Sequence, residues 1–220
     1  MQNKLLKVFL FMGIIGILPL NCFADKNETQ DINAKLMMAM EAYHVPVVGY
    51  AIIKNYQIIA SHTLSIDPNL KVSKNSLFQA ASISKSVSAY GALKLVSHGK
   101  LNLDKPVNDR LITWKIPENE YTKDTPVTLR QMLDMTSGLS VSGFPGHQQG
   151  ESLPTLQEVL DGKPPANTAP IRVFHQPGAQ YFYSGGAFQV LEQLMEDITQ
   201  QSFQGWMAQE VLEPLKMDQS

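Results

Sequence analysis

The stretch Phe78-Gln-Ala-Ala-Ser82-Ile-Ser-Lys85 offers the clearest chemistry in the chain. It is rich in small residues and runs straight into a long helical pattern. On a helix, residues three apart share a face and differ by about 4.5 Å of rise. If Ser82 opens that helix, its hydroxyl and the first free N–H groups face the same space. A serine is a poor nucleophile at neutral pH without a base, and a desolvated lysine is one such base. Ser82-x-x-Lys85 could therefore be an acyl-transfer nucleophile with its activating amine. The spacing recurs in Ser97-His-Gly-Lys100, where Gly99 sits at the left-handed cap of a helix end. That copy reads as termination only.

The surrounding elements must hold this pair. Asn27 to Ala42 has the spacing of an amphipathic helix, with Ile32, Leu36 and Met40 on one face, and Pro46 breaks it. Its methionines read as core packing. Val47 to Ile53 and Gln57 to Ser61 read as a hairpin turning at Lys54-Asn55-Tyr56, and Asp67-Pro68-Asn69 as a further turn. Ser82 to Ser97 is the central helix, apolar nearly all round, which predicts burial. Lys85 then either lies on the one wetter face with Ser88 or lines a cleft. Beyond Leu101-x-Leu103-Asp104, Thr128-Leu-Arg-Gln131 and Thr155-Leu-Gln-Glu158 are capping boxes. The first helix is stapled by Val127 and Met132 and stops near Gly138; the second ends at Gly162. Gly143 to Gly150 and Lys163 to Pro170 are loop-like. Tyr181-Phe-Tyr183 reads as a short aromatic strand. Ser184 and Ser202 cap the last two helices, with Ala187, Val190, Leu191, Leu194 and Ile198 on one face of the first. Pro214 ends the second.

At the N-terminus, Lys4 and Lys7 precede the apolar run Val8 to Leu20, and Cys22-Phe23-Ala24 offers a cleavage site. Residues 1–24 read as an export signal, and the mature chain from Asp25 as periplasmic or secreted. The apolar run is short for a membrane span, so no stable span is expected after cleavage. Cleavage takes the formal net charge from −2 to −4 and removes the only cysteine. A cysteine-free chain suits an oxidising compartment without requiring disulfides. The mildly acidic balance argues against a nucleic-acid partner. His44, His62, His98, His147 and His175 lack paired ligand spacing, and no phosphate-cradling glycine loop is present. No metal or cofactor is expected.

Ser82-Ile-Ser-Lys85, Gly99-Lys-Leu-Asn-Leu-Asp104, Thr136-Ser-Gly-Leu139, Pro177-Gly178, Tyr183-Ser184 and Pro214-Leu215 stand in an order that resembles the serine β-lactamase-like hydrolases. These are class C β-lactamases, D-alanyl-D-alanine peptidases and related esterases. The match runs from about Ala34 to Met217. The resemblance implies an α/β (α+β) fold, an antiparallel sheet with helices over residues 25–100 and a mostly helical part from about 101 to 220. It also implies an acyl-enzyme on Ser82, with Lys85 handling protons and Tyr183 as a second base. The substrate would be a small molecule or peptide: a β-lactam, a D-alanyl peptide or an ester. The chain departs from the pattern at Gly185, where Asn is usual, at Met135, where His is frequent, and at Lys216, where Gly is common. The family's third motif, Lys- or His-x-Gly, would lie beyond Ser220. The expectation is therefore an N-terminal portion of such a hydrolase, inactive alone because the rest of its sheet and site lie elsewhere. Gly185 and the missing motif also leave open a non-catalytic protein that binds cell-wall peptides or acyl ligands.

Overall fold

Pro46 and the dipeptide Asn55-Tyr56 mark the two ends of the first strand. In the computed structural model, which describes residues 26–217 and Ser220, the chain divides into two compact units. One ends at Phe78 and the other spans Gln79–Ser220. The expected export signal lies outside the described residues.

In the first unit, α1 (Lys26–Tyr43) precedes an antiparallel pair, β1 (Val47–Lys54) and β2 (Gln57–Ser65). Asn55 and Tyr56 both have positive φ, 50° and 63°, so two residues suffice to reverse the chain with the twist of the strands. The register runs from Val47 opposite Ser65 to Lys54 opposite Gln57, with one irregularity between Ile52 and Ile53. The hairpin is longer than the residue pattern implies. Its far end is closed by the Ile66 N–H to the Pro46 carbonyl at 3.1 Å and by the Ser65 hydroxyl, which accepts from the Asp67 N–H. The Tyr50 hydroxyl donates to Asn33 Oδ1 at 2.6 Å and ties β1 to α1. Ile53 and Ile58 remain exposed.

The second unit is helices and loops around one apolar core. A 3-10 turn, Ala81–Ile83, leads into α2 (Ser84–Ser97); then come α3 (Leu129–Leu133), α4 (Leu156–Asp161), α5 (Gly186–Thr199) and α6 (Phe203–Met207), which continues as a π-helical turn through Leu212. Both capping boxes form: Thr128 Oγ1 accepts from the Gln131 N–H and Thr155 Oγ1 from the Glu158 N–H, with each N3 side chain reaching back. Gly162 caps α4 at φ 63°. Ser184 Oγ accepts from the Ala187 N–H at 2.9 Å and Ser202 Oγ from the Gly205 N–H at 3.1 Å. The apolar face of α5, Ala187, Val190, Leu191, Leu194 and Met195, is fully buried against Leu95, Met132, Leu139, Ile171 and Trp206.

Two expectations need correction. The central helix is not buried all round. Gly91, Ala92 and Leu95 face α5 and α6, whereas Ile83, Tyr90 and Leu93 are exposed, because no element of this unit covers that side. Gly91 marks the tight side, where an added Cβ would lie 2.6 Å from Met207 Sδ. Residues 181–183 are not a strand. Their only ladder-like bond is Phe182 N–H to the Met135 carbonyl at 2.8 Å, so the segment is an extended coil held by a turn.

Asp197 locks the long connector after α2 onto α5. It is 5% exposed. Its Oδ2 accepts from the backbone N–H of Ile112 at 2.6 Å, and its Oδ1 accepts from Thr113 Oγ1 at 2.6 Å and Gln193 Nε2 at 3.1 Å. Removing a buried acceptor leaves its donors unpaired, which costs more than the bonds themselves are worth. Asp197→Ala is expected to lower stability by about 2–4 kcal/mol in urea unfolding. Lys163→Ala, which removes an exposed partner of Asp161, is expected to change it by less than about 0.5 kcal/mol. Equal effects would contradict this role for Asp197.

Candidate active site

Ala81 takes φ 45°, a left-handed conformation that an L-residue adopts at a cost of about 1–2 kcal/mol. The strain falls one residue before Ser82. The chain then passes through the 3-10 turn rather than entering the α-helix directly. Ser82 makes no cap bond, and its hydroxyl is left for two side chains, one on the helix and one far along the chain.

Those partners are the two residues expected from the sequence. Lys85 Nζ, one turn further on, donates to Ser82 Oγ at 3.2 Å. The Tyr183 hydroxyl donates to the same oxygen at 2.6 Å. Lys85 Nζ also stands 5.0 Å from the Tyr183 ring centre and 5.5 Å from that of Phe188, within cation–π range. Ser82, Lys85 and Tyr183 thus meet at one oxygen. Ser97 is elsewhere: its hydroxyl donates to the Lys94 carbonyl and finishes α2.

Tyr183 is held by its neighbours rather than by regular structure. Residues 135–141 run beside 171–186. The bonds are Gly178 N–H to Thr136 O, Phe174 N–H to Gly138 O, Ser140 N–H to Arg172 O and Gly186 N–H to Val141 O, at 2.7–3.0 Å. Met135, at φ 65°, offers its carbonyl to Phe182 N–H and its sulfur to Ser184 N–H at 3.4 Å. Met135 is therefore a backbone anchor for the Tyr183 segment. Gly186 permits the close approach: a Cβ there would lie 2.3 Å from the Ser140 carbonyl oxygen.

The electrostatics favour proton movement at Tyr183. Its phenol is held below the ordinary 10.0, first by the hydrogen bond with Ser82 and next by the Lys85 ammonium. Among the described residues Lys85 has no carboxylate partner in an ion pair.

Ser82 and Lys85 open on a hollow of about 390 Å³, walled by Phe144, Gly185, Phe188, Glu192 and Phe203. A larger hollow of about 450 Å³, near Lys100 and Arg110, contains no nucleophile beside a base. The chemistry therefore selects the Ser82 hollow. Three of its groups, Phe144, Phe188 and Glu192, escaped the sequence reading. Phe144 sits in a loop with no periodicity to mark it. Glu192 could have been found one turn beyond Phe188 on the polar margin of α5. Gly185, where an Asn was expected by resemblance, gives its space to Phe144: a Cβ at Gly185 would lie 3.0 Å from Phe144 Cε2.

Glu192 is half-buried, and burial followed by repulsion from Glu196 pushes its carboxyl from 4.5 up to about 7. The folded state thus binds this proton more tightly than the unfolded chain. The resulting stability is fully present below about 4.5, falls as pH rises, and is lost above about 7. In urea unfolding, wild type should lose about 1–2 kcal/mol relative to Glu192→Gln between pH 4.5 and pH 8, a figure reduced by the water that reaches the carboxyl. An identical difference between the two proteins at both pH values would contradict this environment.

The family model described as Beta-lactamase matches residues 32–220. The chain belongs to the beta-lactamase family. It is similar to protein flp of Staphylococcus aureus strain MW2, 24% identical over 194 residues that make up 86% of this chain and 37% of that protein. Among solved structures it is similar to the octameric penicillin-binding protein homologue from Pyrococcus abyssi, with TM-score 0.69, 22% identity, and 87% of this chain against 44% of that one. A β-lactamase/D-alanine carboxypeptidase from Yersinia pestis gives TM-score 0.65 and 19% identity, over 84% of this chain and 54% of the other. At these identities the likeness is one of fold. The chain spans roughly two fifths to half the length of these relatives.

Proposed function

We propose that the protein is an exported serine hydrolase that cleaves an amide or ester through an acyl-enzyme on Ser82. The observation that carries this reading is the shared oxygen: Lys85 Nζ and the Tyr183 hydroxyl both reach Ser82 Oγ. Ser82 Oγ attacks the substrate carbonyl carbon. The reacting form has Tyr183 as the phenolate, made more accessible by its depressed pKa and the neighbouring Lys85 ammonium, and the serine proton passes to that oxygen. The Ser82 N–H would supply one half of the oxyanion hole for the tetrahedral intermediate, as the family resemblance implies. Tyr183 then protonates the leaving group; water attacks the acyl ester, gives a proton to the regenerated Tyr183 phenolate, and Tyr183 returns it to Ser82 Oγ as the acid leaves. Membership of the beta-lactamase family supports the same class of chemistry.

Gly185 favours a second reading, a binding protein that holds an acyl or peptide ligand without turnover. Phe144 fills space beside Gly185 that a larger side chain would otherwise occupy.

In the full protein, a fluorophosphonate or penicillin probe is expected to attach at Ser82. Ser82→Ala should abolish the attachment and Ser97→Ala should not. Lys85→Ala should slow acylation at least about a hundredfold, the scale of a lost general base. Equal labelling of the two serine variants would refute the nucleophile, and saturable penicillin binding with no covalent attachment at Ser82 would select the binding reading. Export has its own check. Intact mass of envelope material should correspond to a chain starting near Asp25, and a mass retaining residues 1–24 would refute cleavage. Among the described residues no helix is long and apolar enough to cross a membrane.

A further inference from the structure

A second hollow, of about 280 Å³, lies beside the first and shares two walls with it, Phe144 and Gln189. Its other walls include Pro154, Val159 and Ala166 together with His147 and Thr168, whose Oγ1 is buried without a hydrogen-bond partner among the described residues; no lysine, arginine, aspartate or glutamate lines it. The Asn167 amide on its rim is already committed, donating to the Gly146 carbonyl at 2.6 Å. The space therefore suits an uncharged group that is mainly apolar, and it exceeds the roughly 150 Å³ of an apolar cavity that accepts benzene.

What separates the two hollows is the Phe144 ring. It rests against Gly185 and is 39% exposed. Its backbone is lightly held. The chain is pinned at Val141, whose carbonyl accepts from Gly186 N–H, and at Gly146 by Asn167. Among the described residues, no backbone hydrogen bond holds residues 142–145 between those pins. Gly143 and Gly146 flank the ring in open space, where an added Cβ would meet nothing within 4 Å. A ring on such a segment can turn without breaking the bonds that fix Tyr183.

We propose that Phe144 sets acyl-chain selectivity: the substrate's acyl group is neutral and apolar, and a chain too long for the Ser82 hollow extends past this ring into the hollow walled by Pro154, Val159 and Ala166. This rests on the acyl-enzyme reading of Ser82 and names its substrate class.

The test is p-nitrophenol release, burst and steady state, from p-nitrophenyl acetate, butyrate, hexanoate and octanoate, using the full protein. Phe144→Ala opens the partition and should raise the octanoate-to-acetate ratio of kcat/KM about tenfold, the worth of one or two buried methylenes. Ala166→Phe fills the second hollow and should lower that ratio about tenfold. If Ala166→Phe fails to fold, Phe144→Ala decides alone. Ratios within about twofold of wild type, or changes of opposite sense, overturn the selectivity proposal while Ser82-dependent release still supports the hydrolase. Absence of any Ser82-dependent release, burst included, overturns both.

Discussion

The site depends on a hydrogen bond that spans 101 positions of sequence, from the Tyr183 hydroxyl to Ser82 Oγ at 2.6 Å. In the proposed reaction, a serine one residue after a strained Ala81, with a lysine one turn away, would still need a second proton acceptor. Tyr183 reaches Ser82 only because an irregular segment is stitched in place at Met135, Ser140 and Val141. The phenol gains acidity from the serine and lysine it approaches. Geometry and pKa are thus two consequences of one contact.

That contact is only as firm as the helices behind it. Ser82 rides on the start of α2 and Tyr183 on the approach to α5, and these helices meet through Gly91, Met195, Trp206 and Met207. The close approach at Gly91 is chiefly to Met207 and Trp206 of α6, while Asp197 pins the intervening connector to the far end of α5. Lys94 adds a link to the chain after α6, donating to Glu210 carboxylate and carbonyl oxygens, both at 2.7 Å. The core lies behind α5 and the Gly91 face of α2, while Ser82 and Tyr183 themselves stay exposed beside the hollow.

Much of this was legible in the residues. The capping boxes at Thr128 and Thr155, the serine caps at Ser184 and Ser202 and the turn at Asn55 are local bonds whose partners lie within three residues. The distinction between Ser82 and Ser97 was also legible, because Gly99 marks a helix end wherever the chain goes. Other features were not. Apolar residues all round α2 signal burial, yet burial needs a covering element, and this unit covers only the Gly91 side. Aromatic Tyr181-Phe-Tyr183 has strand propensity, but a strand needs a neighbour, and the segment's bonds go to a turn instead. Glu192 and Phe144 enter the site through helix phase and loop geometry, which no short motif records.

The central claim is that Lys85 and Tyr183 act on Ser82 as one proton-transfer unit. Single-turnover acylation of the full protein by a chromogenic ester tests it, comparing wild type, Lys85→Ala, Tyr183→Phe and the double variant. If the two share one proton path, the double variant should be no more than about tenfold slower than the worse single variant. Losses that multiply, giving the double variant the full product of the two single effects, would mean independent roles and would contradict the account.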